Sequence, residues 1–176
     1  MPHRIRKLAP ADLKDAALNY LGRYAASTAR LRQVMTRRIN RSARANELDP
    51  QPLMAELERV VAMLHRTGLL NDEAFAEGRA RSLNRRGGSR RQIAAKLSAA
   101  GVAQATTAQA LAGLEDELPD AEFTAALAYA KRRRLGAFRA VLDESPERRR
   151  KDLMAMARAG FALDLARRAL AGEEDS

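Results

Sequence analysis

Leu70-Asn71-Asp72-Glu73-Ala74-Phe75-Ala76 and Leu118-Pro119-Asp120-Ala121-Glu122-Phe123-Thr124 are two copies of one phrase. Leu, Asp and Phe keep the same spacing. Each copy leads into a segment of helical pattern that ends in arginines, Arg85-Arg86 in the first and Arg132-Arg133-Arg134 in the second. From Asp72 to Asp120 the period is 48 residues. Self-similarity at that length marks a repeat array, in which each small helical unit buries its apolar face against its neighbours. The expected fold class is all-α, with tandem three-helix repeats forming an elongated, curved array.

Working outward from the phrase, apolar residues recur at helical spacing on both sides. Leu13 to Tyr24 reads as one helix. Ser27 is the expected N-cap of a second, with Leu31, Val34, Met35 and Ile39 on one stripe. Arg41 to Pro52 loses the period, carries Asn46, Asp49, Pro50 and Pro52, and reads as a loop. Leu53, Leu57, Val60, Val61 and Leu64 resume the period, and Gly68 closes that helix. Asp72 is the expected cap of the next helix, which Gly87-Gly88 ends. Ser89-Arg90-Arg91-Gln92 fits a capping box. Thr106 to Leu114 completes the unit, and Glu115-Asp116-Glu117 reads as an acidic linker.

The third unit follows the same plan. Asp120 is its expected cap, Leu135, Phe138, Val141 and Leu142 lie in a longer joint, and Ser145-Pro146 opens the next helix. Gly160-Phe161 ends that helix as Gly101-Val102 ended its counterpart. The organisation is a basic N-terminal segment (1–12), a first repeat (13–70, with the loop 41–52), a second (71–118), a third (119–171) and an acidic tail (172–176).

Composition narrows the function. Aromatic residues make up 4% of the 176, Trp is absent, and Ala and Leu dominate, as suits close-packed helices. With no cysteine there is no disulfide, thiol nucleophile or iron–sulfur site. No apolar run has signal-peptide or membrane-spanning length, so a soluble, cytoplasmic protein is expected, and it is taken to be a monomer. Net charge is +10 with a pI of about 10.9. Basic residues bunch between Arg4 and Arg44, where only Asp12 and Asp15 oppose them, and between Arg79 and Lys96, where no acid occurs. Such blocks are the footprint of polyanion binding.

Catalytic constellations are lacking. His3 and His65 are the only histidines, Asp72 and Asp120 are explained as caps, and Glu115-Asp116-Glu117 has no second cluster to complete a metal site. Gly87-Gly88-Ser89 lacks the Gly-Lys-Ser/Thr ending of a phosphate loop. The expectation is a protein that is not an enzyme and takes no cofactor. The binding candidates are Arg79, Arg85, Arg86, Arg90, Arg91 and Lys96 around the Gly-Gly joint, with the main-chain N–H groups at the Ser89 helix start. In the third unit they are Lys131, Arg132, Arg133 and Arg134, then Arg148, Arg149, Arg150 and Lys151. Arg30, Arg32, Arg37 and Arg38 are further candidates. Faces of Arg and Ala suit phosphates or a protein groove better than base readout, so DNA binding is expected to be weak and sequence-indifferent.

Leu64-x3-Gly68-Leu69-Leu70-Asn71-Asp72-x2-Phe75-Ala76, then Arg79, then Gly87-x-Ser89-x3-Ile93-x3-Leu97-x3-Gly101-Val102, resembles the RecX family, regulators of the RecA recombinase. Ala17-Leu18-x-Tyr20-Leu21-x-Arg23-Tyr24 with Ser27-x3-Leu31-Arg32 is similar to the family's first unit. Arg158-Ala159-Gly160-Phe161-x2-Asp164-x3-Arg168-Ala169-Leu170 is similar to its last. Ala100 departs from the family, standing where a basic residue is usual. The resemblance implies a protein that lies along the RecA–DNA filament and limits recombinase, ATPase and co-protease activity, and so modulates recombination and the SOS response to DNA damage. The alternatives are a nucleoid-type DNA-binding protein without a recombinase partner and a scaffold whose arginines hold an acidic protein.

Overall fold

In the computed structural model the described residues are 6–141 and 145–172. The expected acidic run at Glu173–Asp175, the basic start at Arg4 and the joint residue Leu142 lie outside them. The described residues are all-α. Their helices are α1 (Pro10–Leu21), α2 (Thr28–Asn46), α3 (Gln51–Arg66), α4 (Asp72–Arg85), α5 (Arg90–Ala99), α6 (Gln104–Glu117), α7 (Ala121–Arg133), α8 (Pro146–Ala159) and α9 (Leu163–Ala171). A short 3-10 turn, Gly136–Phe138, follows α7.

The chain divides into two compact units. One comprises Met1–Phe75 with Ala100–Val102, and the other Ala76–Ala99 with Ala103–Ser176.

In the first unit, Leu31, Met35, Ile39, Ser42 and Ala43 form the buried stripe of α2, and Leu53, Leu57, Val60, Val61 and Leu64 that of α3. Steps of three and four residues put these side chains on one face, where they meet Leu13, Ala16 and Ala17 of α1. The stripe of α2 continues past Ile39, and this corrects the expected loop at 41–52. Helix α2 runs to Asn46, where Glu47 ends it in the left-handed conformation, and α3 starts at Gln51. The buried Ser42 explains the longer helix. Its hydroxyl accepts the Leu8 N–H at 2.9 Å, so a polar residue that seems to break the apolar period still faces inward.

The second unit has an alanine-rich core, with Ala125, Ala126, Ala130, Ala159, Ala166 and Ala169 beside Phe123, Tyr129, Met156 and Phe161. Small side chains let helix backbones approach closely, and the Tyr129 and Phe161 rings fill the remaining space at 5.6 Å between centroids.

One joint is built twice. In the first unit Ser27 caps α2, accepting the Arg30 N–H at 3.1 Å and donating to the Ala100 carbonyl. In the second, Ser89 accepts the Gln92 N–H at 3.2 Å and donates to the Ala159 carbonyl at 2.6 Å. Each of these carbonyls precedes a left-handed glycine, Gly101 (φ +76°) or Gly160 (φ +99°). In each joint a carboxylate also takes the first N–H of the capped helix. Asp72 accepts from Thr28 N at 2.7 Å, and Glu122 accepts from Arg90 N at 2.8 Å.

These bonds correct the expected roles of two acids. Asp72 does not cap its own helix, since Asn71 accepts the Ala74 N–H there at 2.9 Å. Asp120 stands before α7 in the left-handed conformation without a side-chain cap bond.

Candidate filament and nucleic-acid interface

The basic residues of the second unit divide by what their side chains touch. Arg79, Arg85, Arg86 and Lys96 are exposed, with no side-chain hydrogen bond or ion pair among the described residues. Arg90 is different. Its guanidinium meets Glu115 at 2.8 Å, while its main-chain N–H is taken by Glu122. Arg91 donates to the carbonyls of Arg158 (3.1 Å) and Ala157 (3.4 Å), closing the last turn of α8.

Glu115-Asp116-Glu117 is therefore not a linker. It is the last turn of α6, and Glu117 pairs with Arg81 at 2.7 Å as Glu115 does with Arg90. The helix start at Ser89, expected to meet a phosphate or a carboxylate, is occupied by the protein's own Glu122. Burial pushes that carboxyl above its ordinary range, more than the Arg90 N–H pulls it down.

Helix α7 delivers its cations beside the end of α4. Arg132 donates to the Arg86 carbonyl and lies over the Tyr129 ring at 5.6 Å, with Arg133 over the same ring at 5.8 Å. Lys131 sits 5.4 Å from the Phe138 ring. The cation–π contacts and the helix C-terminus each favour positive charge at this place. Arg134 is left-handed at the C-cap of α7, where a non-glycine residue is uncommon.

With Arg133, Arg139, Arg148 and Lys151, Arg134 lines a cleft of about 430 Å³. Among the described residues that line it the carboxylate is Asp152, which is buried and doubly engaged, accepting from Gly136 N at 2.9 Å and from Arg139. Arg148, Arg149 and Arg150 are exposed at the start of α8. Lys151 pairs with Glu147 at 2.6 Å, and Ser145 caps the helix by accepting the Arg148 N–H at 3.4 Å.

In the first unit, α2 presents six arginines and no acid over nineteen residues. Arg30 donates to Gln33 at 2.6 Å. Arg32 grips Glu58 through two nitrogens, Nε at 3.0 Å and Nη2 at 2.7 Å. That pair holds the Glu58 carboxyl below its usual range and the Arg32 guanidinium above its own. Arg37, Arg38, Arg41 and Arg44 are exposed and have no side-chain partner among the described residues.

Sequence reasoning missed Arg41 and Arg44, because they fell in the expected loop. The signal was present in the spacing. Arg37, Arg41 and Arg44 step by four and three, and on the buried side Ser42 and Ala43 lie three and four residues after Ile39.

His65 faces a hydroxyl. Its Nε2 lies 3.1 Å from the Thr28 hydroxyl, but that hydroxyl is buried in the first turn of α2 and donates to Asp72 at 3.0 Å. Among the described residues no group of His, Asp and Glu is placed to hold a metal ion, and no helix is long and apolar enough to cross a membrane.

The comparisons carry the assignment further. Residues 71–111 match the model of the RecX second three-helix domain. The chain is 41% identical over 169 residues to the regulatory protein RecX of Myxococcus xanthus (strain DK1622), covering 96% of this chain and 89% of that one. This chain belongs to the RecX family. A second RecX regulatory protein, from Agrobacterium fabrum (strain C58), is 32% identical over 125 residues, 71% of this chain and 64% of its own. The crystal structure of RecX from Lactobacillus salivarius superposes with a TM-score of 0.63 at 18% identity, over 92% of this chain and 94% of that one. Another RecX crystal structure gives 0.62 at 16% identity, over 93% and 72%. At those identities the likeness speaks for the fold, which is the all-α RecX repeat fold. The residues matched by the family model include Asn71, Asp72, Ser89, Ile93 and Leu97, which are joint and core positions here.

Proposed function

We propose that this protein binds the filament of the RecA recombinase on DNA and inhibits its recombinase, ATPase and co-protease activities, modulating recombination and the SOS response in the cytoplasm. Membership of the RecX family across nearly the whole chain carries this reading. The chemistry on the surface supports it, since basic helical faces bind by occupying an acidic or phosphate-bearing surface. The mechanism is multivalent. Basic faces on separate units each contribute a weak contact, and linkage raises the effective concentration of the second once the first has formed.

In the second unit, Arg79 and Arg85 on α4 and Arg86 just after it, with Arg132 and Arg133 on α7, Arg134 at its C-cap and Arg148–Arg150 on α8, are the side chains assigned to the filament. Arg90 and Arg91 contribute to the joint that holds α5 rather than to the partner. The test is sedimentation with RecA filaments. Arg79→Ala, Arg85→Ala and Arg86→Ala together should leave more protein in the supernatant at unchanged helix content. Full co-sedimentation of that variant would remove the α4 patch from the interface.

A further inference from the structure

We propose that the outer face of α2, through Arg37, Arg41 and Arg44 with Asn40 between them, binds the sugar-phosphate backbone of DNA. Three observations converge. The four side chains line one shallow groove whose fifth wall is Ala45, a residue small enough to let a backbone approach. The three guanidiniums have no side-chain partner among the described residues, unlike Arg30 and Arg32 on the same helix. The neighbouring groove continues the same sign. It is lined by Arg6, Lys7, Arg38 and Arg41, with Asp12 and Asp15 as the acids among the described residues, and Asp12 is already bound to Arg6 at 3.2 Å.

The spacing fits a phosphate chain. At about 1.5 Å per residue, Arg37 to Arg44 spans about 10 Å of helix axis. One DNA strand carries about three phosphates over that length. The contacts assigned to this face are to phosphates, so their affinity comes from counterion release and is indifferent to sequence. Phosphate accepts a lysine as a point charge, so contacts of this kind survive exchange of arginine for lysine.

This deepens the filament reading by naming where DNA is met, and it is tested without any recombinase. Fluorescence anisotropy of a labelled duplex oligonucleotide is followed as salt is raised. The triple variant Arg37→Gln, Arg41→Gln, Arg44→Gln should flatten the slope of log K against log salt by about 2.7, roughly 0.9 for each lost phosphate contact. The matched control Arg23→Gln, Arg66→Gln, Arg167→Gln should change it by less than about one such contact. The lysine triple variant at 37, 41 and 44 should keep the original slope. Gln and Lys are both good helix formers, so circular dichroism of every variant should superpose. The proposal is overturned if the glutamine triple keeps its slope, if the control loses as much, or if the lysine triple loses as much as the glutamine triple. RecA inhibition by a protein whose α2 variant still binds duplex normally would leave the filament reading standing and sink this one.

Discussion

The hydroxyl of Ser89 donates to the carbonyl of Ala159 at 2.6 Å while accepting the N–H of Gln92 at 3.2 Å, so one side chain caps α5 and ties it to the end of α8. The Ser89 side chain is fully buried. Replacing it with alanine removes a helix cap, worth about 0.5–2 kcal/mol, and leaves a carbonyl without its donor, which costs about 1–3 kcal/mol. Ser89→Ala should therefore lower unfolding free energy by about 2–4 kcal/mol, read by urea titration. Ser27→Ala, in the corresponding joint, should behave alike. A loss under about 0.5 kcal/mol in both would mean the joints do not hold these helices.

Gly101 meets that joint from the other side. A Cβ on it would lie 2.3 Å from the Ala29 Cβ, and its φ of +76° is one that L side chains rarely adopt. Gly101→Ala should cost more than about 2 kcal/mol, because the left-handed penalty of about 1–2 kcal/mol and the overlap add. Thermal unfolding of the Gly101→Ala, Ala29→Gly double variant separates the two causes. It should recover the steric part and leave the conformational one.

Glu122 is a carboxylate held where burial disfavours its charge. A carboxyl whose folded pKa is raised binds more protons in the native state than in the unfolded one, so its contribution to stability falls as pH rises through the window between its unfolded and folded values. Glu122→Gln keeps an oxygen for the Arg90 N–H and removes the charge. The variant should be at least as stable as the parent at neutral pH, and the gap should close as pH falls toward the unfolded carboxylate range. Melting temperatures across pH 4–8 check this, and a variant less stable at pH 7 than at pH 4 relative to the parent would contradict it.

Arg81 with Glu117 and Arg90 with Glu115 are solvent-exposed pairs, each partner more than two-fifths accessible. Such pairs contribute about 0–1 kcal/mol and are screened by salt. Arg81→Ala should therefore shift the melting temperature little. Its filament binding should stay near the parent's, unlike that of the Arg79, Arg85, Arg86 variant. Loss of binding on changing Arg81 alone would move the interface toward α6.

The period from Asp72 to Asp120, the serine caps at 27, 89 and 145 and the glycine stops at 101 and 160 were all legible in the sequence, because caps and periods are local. The charge partners were not. Arg90 meets Glu115 and Glu122 across 25 and 32 residues, and Arg32 meets Glu58 across 26. A run such as Arg79–Lys96 looks uncompensated until folding brings the acidic end of α6 against it. Arg41 and Arg44 were hidden for a different reason. Ser42, Asn46 and the prolines beyond resemble a loop and mask the helical spacing of Arg37, Arg41 and Arg44, and the inward hydroxyl of Ser42 accounts for the polar residue on the buried side.

The central claim is action on RecA, and ATP hydrolysis by RecA on single-stranded DNA, with this protein titrated in, tests it most directly. The account predicts that hydrolysis falls, and falls less with the Arg79, Arg85, Arg86 variant. Undiminished hydrolysis at one molecule per recombinase protomer, by protein that still binds naked duplex, would contradict it and leave a DNA-binding protein of RecX fold.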